Sequence, residues 1–181
     1  MVSTSGSQLL PNDAVTSMVE QLLPVSYMIT PNYPEALLLA KTAGLKFEEI
    51  SSVAGLVGLA KLLHTLGPKI VFLKGGHCAM DAAGAFTEVE EDKETVVDVY
   101  YDGEESVVIE NRYISSKHTH GTGCSLSAAI ASQIALGETA VVACRKAVDY
   151  VAAGITSAPG LGKGKGPIDH LHSSFTLPYP P

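Results

Sequence analysis

The sequence predicts an α/β protein, and three observations carry that prediction. Short apolar runs at 25–30 and 70–73 read as buried strands, and they alternate with stretches of helical periodicity. Two β-rich segments, 96–101 and 106–109, flank Asp102-Gly103-Glu104-Glu105, the pattern of a hairpin. A Gly-Thr-Gly turn at 121–123 then leads into an apolar run from Ser125 to Leu136 that reads as a helix.

The elements follow in order. Asn12 or Asp13 is expected to cap a helix to about Leu23, with Val15, Met18, Val19, Leu22 and Leu23 on one face and Pro24 as its stop. The strand at 25–30 closes at Pro31, and Pro34 sits where a proline suits the first turn of a helix, here running through Ala40. Residues 48–66 have helical spacing and end at Gly67-Pro68. The strand 70–73 runs into a loop, Lys74-Gly75-Gly76-His77. The acidic stretch 87–94 is expected to be a solvated loop before the hairpin. In the helix after Gly123, apolar residues cover more than one face, which predicts burial. A last helix is expected from Glu138 to about Ile155, followed by an irregular Gly/Pro-rich tail over 159–181.

Composition limits the function classes. The chain has 181 residues, 46% hydrophobic and 17% charged, which suits one globular domain over 1–181 with its own core. A net charge of −7 argues against a nucleic-acid surface. Cys78, Cys124 and Cys144 have neither CxxC pairing nor metal-ligand spacing, so reduced thiols and a cytoplasmic location are expected. No run approaches the ~18 apolar residues of a membrane span, and the opening residues lack the pattern of a signal peptide.

The chemistry sits in the loops. A helix entered through Gly121 and Gly123 presents unpaired N–H groups and a positive dipole end, a site for phosphate. A glycine–threonine turn that merely packs is the alternative. In open α/β sheets, ligands bind beyond the carboxyl ends of the strands. Thr30-Pro31-Asn32 and Lys74-Gly75-Gly76-His77 both fall there. Asn32 and Glu35 can equally be a cap and a first-turn acid, and Lys74 a solvated strand-end lysine. His77, His118 and His120 have no acidic or Cys partner at zinc-ligand spacing and read as loop hydrogen-bonders, His120 bracing the anion turn. Lys163 and Lys165 read as solvated. No GxxxxGK[ST] loop occurs.

Taken together, Ile29-Thr30-Pro31-Asn32-x-x-Glu35, Lys74-Gly75-Gly76-His77, His118-Thr119-His120-Gly121-Thr122-Gly123-Cys124 and the Gly-rich stretch Pro159 to Pro167 resemble the hydroxymethylpyrimidine/phosphomethylpyrimidine kinases of thiamine biosynthesis. Those kinases belong to the ribokinase-like superfamily. The opening Met1-Val2-Ser3-Thr4-Ser5-Gly6 is similar to the middle of that family. The resemblance therefore implies the C-terminal portion of such a kinase: a three-layer sheet with helices on both faces and the N-terminal strands missing.

It also implies ATP and Mg²⁺ as cofactors, a small pyrimidine as substrate and a homodimer as the assembly. Gly121, Thr122, Gly123 and Cys124 would be catalytic, their amides stabilising charge on the transferred phosphoryl group. In much of the superfamily an aspartate base stands where this family has cysteine. With a phosphate acceptor, whose second pKa is ~6, little deprotonation is needed, so Cys124 is expected to handle protons rather than form a covalent bond. Asn32, Glu35, Lys74, Gly75 and Gly76 would bind the nucleotide, with Glu35 reaching the metal through bound water. A truncated, inactive nucleotide-binding chain and a pyridoxal kinase are the competing readings, the latter against Cys124, where those relatives often carry Asp.

Overall fold

The computed structural model describes residues 10–174; the Met1–Gly6 opening and the last residues of the tail lie outside the described residues. The chain divides into two compact units, Met1–Tyr113 and Ile114–Pro181.

The first unit holds a four-stranded sheet in chain order: β1 (Met28–Ile29), β2 (Ile70–Leu73), β3 (Thr95–Tyr101) and β4 (Ser106–Arg112). β1 and β2 are parallel, with Met28 opposite Ile70. β2–β3 and β3–β4 are antiparallel, with Phe72 opposite Tyr100 and Asp98 opposite Ile109. The sheet is thus mixed. The hairpin forms as expected, and Asp102 closes it by accepting hydrogen bonds from the Glu104 and Glu105 amides.

Helices α2 (Tyr33–Thr42) and α3 (Val53–His64) supply the apolar partner of this sheet. Ala36, Leu39 and Ala40 of α2 and Leu56, Leu59, Ala60 and Leu63 of α3 share one buried cluster with Val71, Leu73, Val97 and Val99. Strand alternation puts those four β residues on one face. Phe72, on the other face, is also fully buried.

Several boundaries depart from the expectation. Pro11, not Asn12 or Asp13, stands at the start of α1 (Asn12–Ser17). Pro24 does not stop the coil, which continues through a wide turn at Met18–Leu22 and a tight one at Leu23–Val25. Proline is tolerated in a first turn, where its missing N–H has no partner to lose. The continuation shortens the strand expected at 25–30 to two half-buried residues and leaves Val25 78% exposed. α3 starts only at Val53, because the Ser52 hydroxyl accepts the Gly55 amide at 3.2 Å and fixes the helix start there. The acidic stretch is exposed as expected, but it is tied down: Lys93 pairs with Glu90 at 2.8 Å, and the Tyr113 hydroxyl donates to Glu90 at 2.9 Å.

The second unit is a helix pair, α4 (Thr122–Ala135) packed on α5 (Ala140–Thr156), followed by the tail. Here the expectation of a buried α4 fails. Leu126 and Ile130, one turn apart, are buried, while Ala128, Ala131, Ala135 and Leu136 are exposed. Alanine removes little apolar area from water, so a run rich in it looks more buried than it needs to be. The tail is irregular but anchored, with Gly166, Ile168 and Asp169 buried and the Asp169 amide bonded to the Gly154 carbonyl at 2.8 Å. Lys163 and Lys165 are exposed. Among the described residues, no helix is long and apolar enough to cross a membrane.

Candidate active site

In the first unit, the two strand-end motifs meet. Asn32 and Lys74 bridge as neighbours beyond the ends of β1 and β2, and the Lys74 amide donates to the Pro31 carbonyl at 2.9 Å. Sequence placed both motifs at a carboxyl strand edge, and they lie side by side there.

Asn32 and Glu35 form a complete capping box on α2. The Asn32 Oδ1 accepts the Glu35 amide and the Glu35 carboxylate accepts the Asn32 amide, both at 2.9 Å. The cap reading is therefore realised in the geometry. It leaves the pair at the edge of the Lys74 loop, where Glu35 and Lys74 both act on the His77 ring. Desolvation first, then the Lys74 charge, pull His77 below its ordinary range, against an upward pull from Glu35.

Gly75 is the tightest point of the loop. A Cβ there would collide with the carbonyl oxygen of Val97, so the backbone lies against β3 in a way only glycine permits. Its amide donates to Asp98 Oδ1 at 2.9 Å, and its carbonyl accepts the Cys78 amide at 2.7 Å, closing the turn. Gly76 is exposed, with open space where its side chain would be.

Asp98 is the functional candidate that the sequence did not single out. Withdrawal from water pushes its carboxyl up to about 6, against the Gly75 hydrogen bond and the nearby Lys74 charge. The available signal was an acid among valines in a strand, where aspartate is scarce. Cys78, just beyond the loop, is buried, and its thiol is pushed up to about 11 by desolvation.

The second unit, by itself, holds the glycine turn. Gly121 adopts φ 86°, ψ −3°, a left-handed conformation that favours glycine, and no side chain caps the helix it precedes. Thr122, Gly123 and Cys124 are the first three residues of α4, whose opening amides lack intrahelical acceptors. The Ser125 amide and hydroxyl both return to the Gly121 carbonyl, at 2.9 and 2.8 Å, and hold the turn in shape. Cys124 is exposed.

The turn is braced from the tail. His120 bridges Pro167, and its amide donates to the Gly166 carbonyl at 3.2 Å. The bracing expected of the His120 side chain is thus done by its backbone. The His118 ring packs so closely on Gly166 that a Cβ there would strike Nδ1, a buried nitrogen without a hydrogen-bond partner.

Among the described residues, no group of three or more His, Cys, Asp or Glu could hold a metal on its own. One carboxylate already accepting a backbone amide suits Mg²⁺ held through water and ligand phosphates, the usual mode of an ion that dehydrates reluctantly. Glu35 fits that limited part.

Known proteins match this arrangement over most of its length. A family model described as phosphomethylpyrimidine kinase covers residues 1–169. The chain is 35% identical over 175 residues to the hydroxymethylpyrimidine/phosphomethylpyrimidine kinase of Synechococcus elongatus, covering 97% of this chain and 60% of that one. To the Bacillus subtilis protein of the same name it is 34% identical over 171 residues, 94% of this chain and 56% of the relative. An ADP complex of Bacillus subtilis pyridoxal kinase superposes with a TM-score of 0.73 at 31% identity, over 91% of this chain and 55% of that one. A phosphomethylpyrimidine kinase from Clostridium difficile gives 0.60 at 32% identity, over 84% and 53%. The chain therefore spans little more than half the length of these relatives.

The mixed sheet, its strand-end loops and the glycine-entered helix define an α/β protein of the ribokinase-like kinase class. Within that class, the chain belongs to the phosphomethylpyrimidine kinase family.

Proposed function

We propose that this chain carries the nucleotide- and phosphoryl-handling part of an ATP-dependent kinase that phosphorylates hydroxymethylpyrimidine and then its monophosphate. The observation that carries this reading is the pairing of Asn32 with Lys74 beyond the ends of β1 and β2, in a chain of this family. The ADP complex of a relative 31% identical supports a nucleotide as ligand.

Lys74 holds nucleotide phosphates from a loop that Gly75 and Gly76 keep close to the strand end. The amides of Gly121, Thr122, Gly123 and Cys124 stabilise the charge that develops on the γ-phosphoryl oxygens. In the first transfer the substrate hydroxyl oxygen bonds to the γ-phosphorus as the bond to the ADP oxygen breaks, and Cys124 handles the released hydroxyl proton. In the second transfer the acceptor is a phosphate oxygen that needs little deprotonation. Asn32 and Glu35 keep the edge of the phosphate site polar, and Glu35 would hold Mg²⁺ through water. When bound, Mg²⁺ would supply positive charge that offsets charge building up on the phosphates. A homodimer and a cytoplasmic location complete the reading.

Pyridoxal is the second substrate reading, favoured by the higher TM-score of the pyridoxal kinase match, 0.73 against 0.60. Coupled ADP release with Mg·ATP tests both. Turnover on the hydroxymethyl pyrimidine, faster than on pyridoxal and reduced in Cys124→Ala, is the expected result. A pyridoxal preference would reassign the substrate. No turnover, with Mg·ATP still raising the melting temperature, would mean a chain that binds nucleotide without transferring phosphate.

A further inference from the structure

The Lys74 loop is fastened at two points, one on each side. On the β1 side the Lys74 amide is held by the Pro31 carbonyl. On the β3 side the next amide, Gly75, is held by a side chain rather than by the sheet, donating to Asp98 Oδ1 at 2.9 Å. Asp98 lies between Val97 and Val99, which are fully buried in the core on the α2/α3 side, so it projects from the opposite face of β3. A strand in this position would be served by another β-branched or aromatic residue. An acid there, partly withdrawn from water, carries a desolvation cost that the hydrogen bond from the Gly75 amide offsets in part.

The feature that gives Asp98 a purpose is what it touches. Gly75 is the residue whose backbone presses against Val97, so the loop can sit there only with glycine at 75, and its amide finds its acceptor in Asp98. Lys74, one residue earlier, is held on its own amide by the Pro31 carbonyl. Fixing the amide on its far side restricts the direction in which its long side chain leaves the strand end. Less rotational freedom is then lost when an anion is bound.

We propose that Asp98 is a positioning residue: by holding the Gly75 amide it presets Lys74 for the phosphates of a nucleoside triphosphate. This rests on the nucleotide reading above and adds to it a residue that touches neither nucleotide nor metal.

Two measurements on the full chain test it. The first needs no ligand: amide hydrogen exchange in wild type, Asp98→Ala and Asp98→Asn. Exchange at Gly75 should speed up at least tenfold in Asp98→Ala and stay near wild type in Asp98→Asn, whose amide oxygen keeps the acceptor. The Val97 and Val99 amides report whether the strand itself has loosened, and they should not change. Unaltered exchange at Gly75 in Asp98→Ala, or equal loosening of β3, would overturn the proposal.

The second is a double-mutant cycle on Mg·ATP affinity by calorimetry. Asp98→Ala should weaken binding about tenfold on the wild-type background and hardly at all on Lys74→Ala, because its effect runs through Lys74. Equal losses on both backgrounds would mean a general structural role and would overturn it. A wild-type chain that binds no nucleotide, with Gly75 still opening in Asp98→Ala, would overturn the nucleotide reading while the loop assignment stands.

Discussion

The Lys74 loop and the Gly121 turn of this chain are built on opposite principles. The Lys74 loop is defined by side chains and close contact: a lysine, a glycine pressed on Val97, and an acid beneath its amide. The Gly121 turn has no side-chain cap; it rests on a left-handed glycine, on the Ser125 hydroxyl donating to the Gly121 carbonyl, and on the Gly123 and Cys124 amides that open a 14-residue helix, the Thr122 amide being turned back to the Thr119 carbonyl. The first loop offers a formal charge whose strength depends on its surroundings. The second offers dipoles already oriented, at no cost of rearrangement when charge develops.

If the loops differ in this way, substitutions should separate them. Gly75→Ala is the most severe, because the new Cβ meets backbone that cannot swing aside. Chemical denaturation should show a loss of about 3–5 kcal/mol, in the range of the most damaging single changes. Gly121→Ala has open space around it and only the left-handed backbone to strain. It should cost about 1–2 kcal/mol in the same experiment. Equal costs at the two glycines would erase the distinction between a packed loop and a conformational one.

Asp98 sharpens the contrast through pH. Its carboxyl in the folded chain titrates near 6, above its ordinary value of 3.8, so the native state binds more protons than the unfolded state between those values. Stability from this group is therefore present at low pH and falls as pH rises from about 4 to about 6. Asp98→Asn removes the titration and keeps the acceptor. Melting curves across pH should bring the two proteins together near pH 4 and place the variant ahead by about 1–3 kcal/mol above pH 6. A constant difference at all pH values would show that Asp98 is not desolvated.

The smaller effects concern the capping box and the cysteine. Asn32→Ala removes a cap and should cost about 1 kcal/mol of stability. Under the proposed role it should also raise the KM for Mg·ATP, which loss of a cap alone would not do. Cys124→Ala, at an exposed position, should leave stability within about 0.5 kcal/mol while turnover falls. A large loss of stability there would make Cys124 a packing residue.

The parts of the molecule legible in sequence were those with local rules. β2 falls on the predicted residues 70–73, because four apolar residues between Pro68-Lys69 and Lys74-Gly75 leave little choice. The hairpin and α4 follow from Asp102-Gly103 and from the glycines at 121 and 123 in the same way. Asn32-x-x-Glu35 is a capping pattern, and it forms one. What escaped depends on contacts between distant residues. Asp98 stands out in sequence only as an acid among valines, and only the folded loop reveals the Gly75 amide it accepts. The packing of His118 on Gly166 joins residues 48 positions apart and has no local signature. The apolar run of α4 is rich in alanine, and Leu136 at its end is 78% exposed, so the helix buries less than its composition suggests.

The most direct test of the central claim is a calorimetric titration of Mg·ATP into the wild-type chain and Lys74→Ala at one salt concentration. Saturable binding that weakens at least tenfold in the variant is the predicted result. Equal affinities, or no binding to the wild-type chain, would contradict the assignment of this edge of the sheet to nucleotide phosphates.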